Sequence, residues 1–384
     1  ASNSAIDLNG FKIDGSIGSG AGIATVNSVG GSGVTIRNGR IRGCGGAGIS
    51  VSAQSVLIEN IAVQDCGGIG IDVSGQVLRV EACGAFRNGS HGISVSAGVV
   101  SRCAAEFNTG PGFSSSGAIV FESCWSNFNT GGGFLAGFLR ATNCISITGN
   151  GTQFQGVNGV AAESCWAYGG SSGFKVVNTG TAASLSNCTA DAVTGVGFEL
   201  ASAAGGEFTA CVAKNCGGIG FQLPAGSVAT SCSARQNTGG GFTGSACVLS
   251  ACVATTNGST AAPASGFAMG TDCRLENCGA TNNTLHGYVV GARCTLTNCS
   301  SSGHNSLATN VGIRLGDVDC AADSCTCTNN GIGIGATVGG CIVTRNRTSG
   351  NVTNFNLVGT NFAGASVTAA ANVATANAWA NFEF

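Results

Sequence analysis

Residues 83–103 read "CGAFRNGSHGISVSAGVVSRC", with cysteine at both ends and a glycine-rich, nearly chargeless stretch between. The interval recurs. Cys83, Cys103, Cys124, Cys144, Cys165, Cys188, Cys211, Cys232, Cys252, Cys278, Cys299 and Cys325 follow one another at spacings of 20–23 residues, with two expansions to 26. The register extends upstream through Ile61, Gly39 and Gly10 and downstream to Asn346, so nearly the whole chain is one repeat array.

Other columns align on this anchor. Three residues before it stands an apolar residue, as in Val80, Val100, Phe121, Leu185 and Leu249, and two before it a polar one, as in Glu81, Ser101 and Thr142. Two after it is a small residue, as in Ala85, Ala105 and Ala213. About ten after it, past a glycine, comes a large apolar residue: Ile49, Ile71, Ile93, Phe113, Phe134, Phe154, Phe174, Phe198, Phe221, Phe242, Phe267, Tyr288, Ile313, Ile334, Phe355. Short alternating segments broken by glycine or asparagine are strand–turn–strand grammar, and no segment keeps a helical period. Three short strands per repeat predict an all-β parallel solenoid of about 16 coils, whose equivalent side chains stack about 4.8 Å apart. A leucine-rich repeat would need several leucines per unit, and a left-handed hexapeptide helix a six-residue rhythm.

Composition agrees. Charged residues are 9% of the chain, with 65 glycines and 3 prolines, which fits neither a disordered nor a collagen-like chain. The formal charge is −2 and basic residues are scattered singly, giving no expectation of nucleic-acid binding. No apolar run reaches the length of a membrane span.

Five residues after the anchor runs a further column: Asn88, Asn108, Asn129, Asn237, Asn257, Asn283 and Asn330. Asparagine tolerates left-handed turns, and its amide can bond its equivalent one coil away. Here the chain resembles the pectate-lyase-like right-handed parallel β-helix proteins, which carry such a ladder between their second and third sheets. "IDLNGFKIDG" (6–15), "CIVTRNRTSGNVTNF" (341–355) and the closing "NAWANFEF" (377–384) are similar to a bacterial subfamily whose chains end in a "WANF"-type segment. The resemblance covers essentially the full chain and implies the right hand of the coil, as does the general chirality of parallel crossovers. It also implies a secreted or cell-surface location.

The 21 cysteines all have places. Twelve are anchors, while Cys247, Cys273, Cys294, Cys320 and Cys341 stand five residues before their anchors. Cys44, Cys66 and Cys216 take the asparagine position, and Cys327 lies two after Cys325. The preferred reading is a small, buried apolar residue filling a tight corner. Stacking distance alone would allow disulfides, Cys44–Cys66 among them, but parallel in-register side chains do not present the dihedral a disulfide prefers. The spacings are not those of zinc sites.

Candidate chemistry is sparse. Glu59, Glu81, Glu122 and Glu163 share one outward column, and by the resemblance this face corresponds to the sheet where polysaccharide enzymes of the family carry acids and calcium ligands. They form a candidate glycan or cation face, set against the simpler reading of a solvated surface. Arg79 and Arg140 stand two residues further back on the same face. The paired Asp-Asp, Gly-His-Gly and Arg-x-Lys signatures are missing, so no catalytic residue is assigned. His304, with Asp317, Asp319 and Asp323 of "GDVDCAADS" (316–324), marks a candidate loop in the expanded coils. A calcium site is the only cofactor considered there, and a polar loop is preferred. His91 and His286 occupy equivalent places before a glycine, which favours a turn role.

The coils are expected to fill residues 1–355, with 356–384 folding over the last coil as a cap in which Trp379 and Phe382 act as plugs. The array starts almost at residue 6 with no cap in view, as expected of a processed form or a fragment whose signal peptide is gone. The favoured function is a non-catalytic extracellular structural solenoid that self-associates end to end into filaments. The alternative is a β-helix protein that binds or degrades polysaccharide, and an adhesin-like spacer is the third reading.

Overall fold

The computed structural model describes residues 3–15, 18–25, 33–178, 183–200, 204–304, 307–369, 372 and 376–384. The chain is all-β, a parallel β-solenoid of about 15 turns where about 16 were expected. It divides into two compact units, residues 1–184 and 185–384. Among the described residues no helix is long and apolar enough to cross a membrane.

In the N-terminal unit a representative coil consists of Val77–Glu81, Gly84–Phe86 and Ile93–Val95. We call the three stacks sheets A, B and C. Each strand pairs in parallel with its equivalent one coil on: Val80 with Val100, Ala85 with Ala105, Ile71 with Ile93. In Phe113–Glu122, Phe134–Thr142 and Phe154–Glu163 the C and A strands run together, with register shifts where the corner would be.

Both corners flanking sheet B are left-handed. Ala82 has φ 50° and Arg87 φ 49°, and one coil later Arg102 and Phe107 have 52° and 57°. The first corner turns the anchor cysteine inward and leaves carbonyls beside it. The thiol answers them. Cys83 Sγ lies 3.1 Å from the Glu81 carbonyl two residues back, and Cys124 Sγ lies 3.4 Å from the carbonyls of Glu122 and of Val100 in the previous coil. A residue of this size with a weak donor suits a corner that is dense and short of hydrogen-bond partners.

The second corner carries the asparagine ladder. Asn88 donates through Nδ2 (2.9 Å) and its backbone N–H (3.0 Å) to Asn108 Oδ1, and Asn108 donates in the same two ways to Asn129 at 2.9 Å. The large apolar column fills the interior as a stack of rings. In the N-terminal unit Phe113, Phe134, Phe154 and Phe174 stack 4.7–4.8 Å apart with nearly parallel planes.

The C-terminal unit repeats the plan. Phe198, Phe221, Phe242, Phe267 and Tyr288 stack at 4.6–4.9 Å. Asn237, Asn257 and Asn283 are linked through side chains at 2.9–3.0 Å. In segment 356–384, residues 370–371 and 373–375 lie outside the described residues. Its strands add to existing ladders: Phe362–Ala363 pairs with Ile342–Val343, and Phe382 pairs with Arg347 and with Val367. Trp379 is no plug. It is 58% exposed, with the Arg345 guanidinium 5.4 Å from its ring.

All 21 cysteines are buried and free, Cys44 and Cys66 included. Burial pushes the Cys216 thiol up to about 12, so at neutral pH it is protonated and unreactive. Because all 21 thiols are buried, a chromogenic thiol reagent should titrate almost none of them in native protein and all of them in denaturant. Fast native reaction of several thiols would overturn this packing.

Candidate functional site

The outward column of sheet A brings the four glutamates into one file but not into one cluster. Its register in the N-terminal unit runs Asp7, Arg37, Glu59, Glu81, Ser101, Glu122, Thr142, Glu163. Only Glu59 and Glu81 are direct neighbours. Arginines offset the repulsion there. Glu81 accepts from Arg79 Nε of its own strand at 2.7 Å and from Arg102 of the next coil. Glu122 and Glu163 are exposed, with a hydroxyl residue between them.

Beside this pair lies an open cleft of about 380 Å³, lined by Val120, Phe138, Arg140 and Ala161 among others. Phe138 is 46% exposed. An exposed apolar ring and a cation make a surface that could hold a small polar-edged ligand. Nothing here assembles a nucleophile with a base.

The Arg102–Glu81 link is one of a series. Arg37 reaches Asp7 at 2.8 Å, Arg87 reaches Asp65 at 2.8 Å, Arg293 reaches Asp272 at 2.6 Å, and Arg345 reaches Asp323. In each the arginine sits one coil after its acid, and four of these five arginines have left-handed φ. From a left-handed corner the side chain swings back over the preceding coil. The guanidinium hydrogen bonds hold the carboxyls of Asp65, Asp272 and Asp323 below the usual carboxylate range.

The candidate loop does not come together. Asp323 lies on strand Ala321–Asp323, bound by Arg345 and by Thr344 Oγ1 at 3.0 Å. Asp317 and Asp319 are exposed, and Asp317 accepts from the Val318 N–H at 2.8 Å. No group of three or more His, Cys, Asp or Glu among the described residues could hold a metal ion. His304 corrects the expectation of an available imidazole. It is 0% exposed and occupies the asparagine-ladder position, its N–H donating to Asn330 Oδ1 at 3.2 Å. Its Nδ1 and Nε2 lie 3.0 and 3.3 Å from the carbonyls of Asn283 and Ala280, and a neutral ring can donate to only one of them.

His286, also buried, accepts from the Val311 N–H through Nδ1 at 2.9 Å, so the proton sits on Nε2. Burial, with added repulsion from Arg314 and His304, depresses its pKa to about 4. Burial lowers the pKa of His304 as well. The unfolded histidine, near 6.5, binds protons before the folded one does, so stability is full above that pH and falls as pH drops toward 4. Chemical denaturation at pH 7 and pH 4 should show about 3 kcal/mol lost through His286. A His286→Gln variant should lack that part of the loss, and an identical pH slope would refute the assignment.

The reading by repeats missed a second surface. The outward column of sheet B carries Trp125 and Trp166, each 38% exposed, with Tyr168 two residues further along the strand at 37%. Both tryptophans immediately follow an anchor cysteine, and that offset was the available signal.

Residues 3–189 match a family model described as a right handed beta helix region, which is consistent with the parallel coil just described. No curated protein matches the chain.

Proposed function

For a chain of the right-handed β-helix fold, we propose a non-catalytic structural role outside the cell: a solenoid that serves as a stiff element of a surface or matrix and self-associates end to end. The observation that carries this reading is where the polar and reactive side chains go. Cysteines, ladder asparagines and His304 point inward and tie coil to coil, and five arginines brace acids of the preceding coil. A chain with 9% charged residues also has little electrostatic protection against self-association. Negative-stain electron microscopy over a concentration series tests this: filaments that lengthen with concentration are expected. Discrete particles at every concentration would overturn the stacking.

Polysaccharide binding or degradation is the second reading, favoured by the cleft at Phe138 and Arg140 beside the column that holds Glu122 and Glu163. Replacing Glu81 and Glu122 together by Gln should then abolish glycan binding or turnover. Unchanged behaviour removes that face from consideration.

A further inference from the structure

We propose that the first coils of the N-terminal unit bind a nucleoside diphosphate on the outward face of sheet B, with its phosphates at Lys12 and Arg40 and its base on the ring of Phe86. This goes beyond the structural role and uses neither the acid column of sheet A nor the cleft at Phe138.

One column of this face runs Lys12, Arg40, Ala62, Gly84, Ala104 in unbroken parallel register. Over it lies an open trough of about 940 Å³. Its floor is made of the small residues at 62, 84 and 104, and none of its lining residues is acidic. Lys12, Arg40 and Arg102 stand exposed in that lining. Lys12 pairs with Asp14 at 2.7 Å and Arg102 pairs with Glu81, while Arg40 has no ion pair among the described residues. An unpaired guanidinium beside an ammonium group, in a trough without carboxylate walls, is set for phosphate oxygens.

Beyond the cations come an amide and then a ring. The left-handed corner residues Asn38 and Asn60 belong to one wall. Asn60 Nδ2 donates to Asn38 Oδ1 and Asn38 Nδ2 donates to Asp7 Oδ1, both at 3.1 Å, so exposed Asn60 keeps its own Oδ1 for a hydroxyl donor. Phe86 lies two coils beyond Arg40, two residues along the strand from Gly84. A Cβ at Gly84 would stand 2.5 Å from the Phe86 ring. Glycine there lets the half-buried ring lie across the floor of the trough instead of projecting from the strand.

The repeat does not ask for this set. In the C-terminal unit the column of Phe86 reads Asp191, Lys214, Arg235, Thr255, Thr281 and Ser302, with no ring. The column of Arg40 reads Thr189, Val212, Ser233, Val253, Gly279 and Ser300 over the same coils, with no cation.

The spacing selects the ligand. Coils stack about 4.8 Å apart, so the strands that carry Arg40 and Phe86 are about 10 Å apart, the reach from a base across its ribose to the phosphates. Asn60 belongs to the coil between them, level with the ribose hydroxyls. An aromatic side chain stacks on a base through its π-face, whichever base it is. A sugar acid offers Phe86 no planar ring, and inorganic phosphate leaves it uncovered.

The test titrates the full chain with ADP by calorimetry at low and high salt, with adenosine and pyrophosphate as the two halves of the ligand. Saturable, salt-sensitive binding of ADP is expected, about tenfold or more tighter than either half. Phe86→Ala should weaken ADP about tenfold and leave pyrophosphate unchanged, whereas Arg40→Ala should weaken both about tenfold. Ala62→Phe, which fills the floor between the two subsites, should abolish ADP binding, and Glu122→Gln on sheet A should leave it unchanged. Circular dichroism establishes that each variant folds, and the exposed Arg40 carries the test where a floor variant does not. Lack of saturable ADP binding, ADP no tighter than pyrophosphate, or ADP affinity unchanged by Arg40→Ala would each overturn the proposal.

Discussion

Replacing Phe221 by alanine is expected to destabilise the C-terminal unit by about 4 kcal/mol, the cost of deleting a fully buried ring from a core that cannot collapse around the void. Phe221 is 0% exposed, sandwiched between Phe198 at 4.6 Å and Phe242 at 4.7 Å, with Phe208 edge-on at 6.3 Å. Coil spacing holds those neighbours in place, since each ring is carried by a strand hydrogen-bonded to the next. The stack therefore cannot close up as a helical core would. In a repeat architecture the damage should be local, so hydrogen exchange should accelerate most in the strands at Phe198, Phe221 and Phe242. Phe107→Ala, at an exposed corner, should change stability by less than about 0.5 kcal/mol. Equal effects of the two substitutions in urea unfolding would contradict the ring-stack account.

Asn257→Ala should cost about 3 kcal/mol, although it removes little volume. The side chain accepts at Oδ1 from both the backbone N–H and Nδ2 of Asn237, each at 3.0 Å, and donates through Nδ2 to the Ala234 carbonyl at 3.0 Å and to Asn283 Oδ1 at 2.9 Å. All four of these partner groups are buried and would lose a bond, and an unmade buried bond costs about 1–3 kcal/mol. Asn257→Cys should cost about half as much. Cys216 takes the equivalent place in this unit, with its Sγ 3.5 Å from the Lys214 carbonyl and its N–H donating to Asn237 Oδ1 at 3.0 Å. Thermal unfolding of wild type and both variants gives the order. Alanine milder than cysteine would show that volume, not hydrogen bonding, governs the ladder.

The coil was legible in the sequence because its constraints repeat. One anchor cysteine suggests nothing, but a cysteine, an asparagine five residues on and a ring ten residues on, recurring coil after coil, can satisfy only a stacked architecture. His304 shows the limit of that reading. It stands five residues after Cys299, so the offset marked it as a ladder residue, yet histidine in a lengthened coil was read by its chemistry. The Arg102–Glu81 bridge was not legible, since alternation alone does not say that a left-handed corner sends Arg102 back over the preceding coil. The glutamate face was read as a column correctly, but its electrostatics depend on those corner residues. Trp125 and Trp166 were overlooked because two aromatics in a column of small residues do not disturb a repeat, whereas a binding surface depends on such departures.

The left-handed corner before each anchor has a consequence for how this scaffold can vary. In the N-terminal unit that position holds Asn60, Ala82, Arg102, Ser123, Asn143 and Ser164, all with φ of 50–54°. Backbone geometry there is constant while side-chain identity is not, because strand pairing and the buried cysteine impose the turn and the side chain only projects from it. Each non-glycine residue adopts the strained conformation at a modest cost that the ladders override. The corners thus form a row of addresses at fixed pitch on which chemistry can be rewritten one coil at a time, with the fold indifferent to what is written.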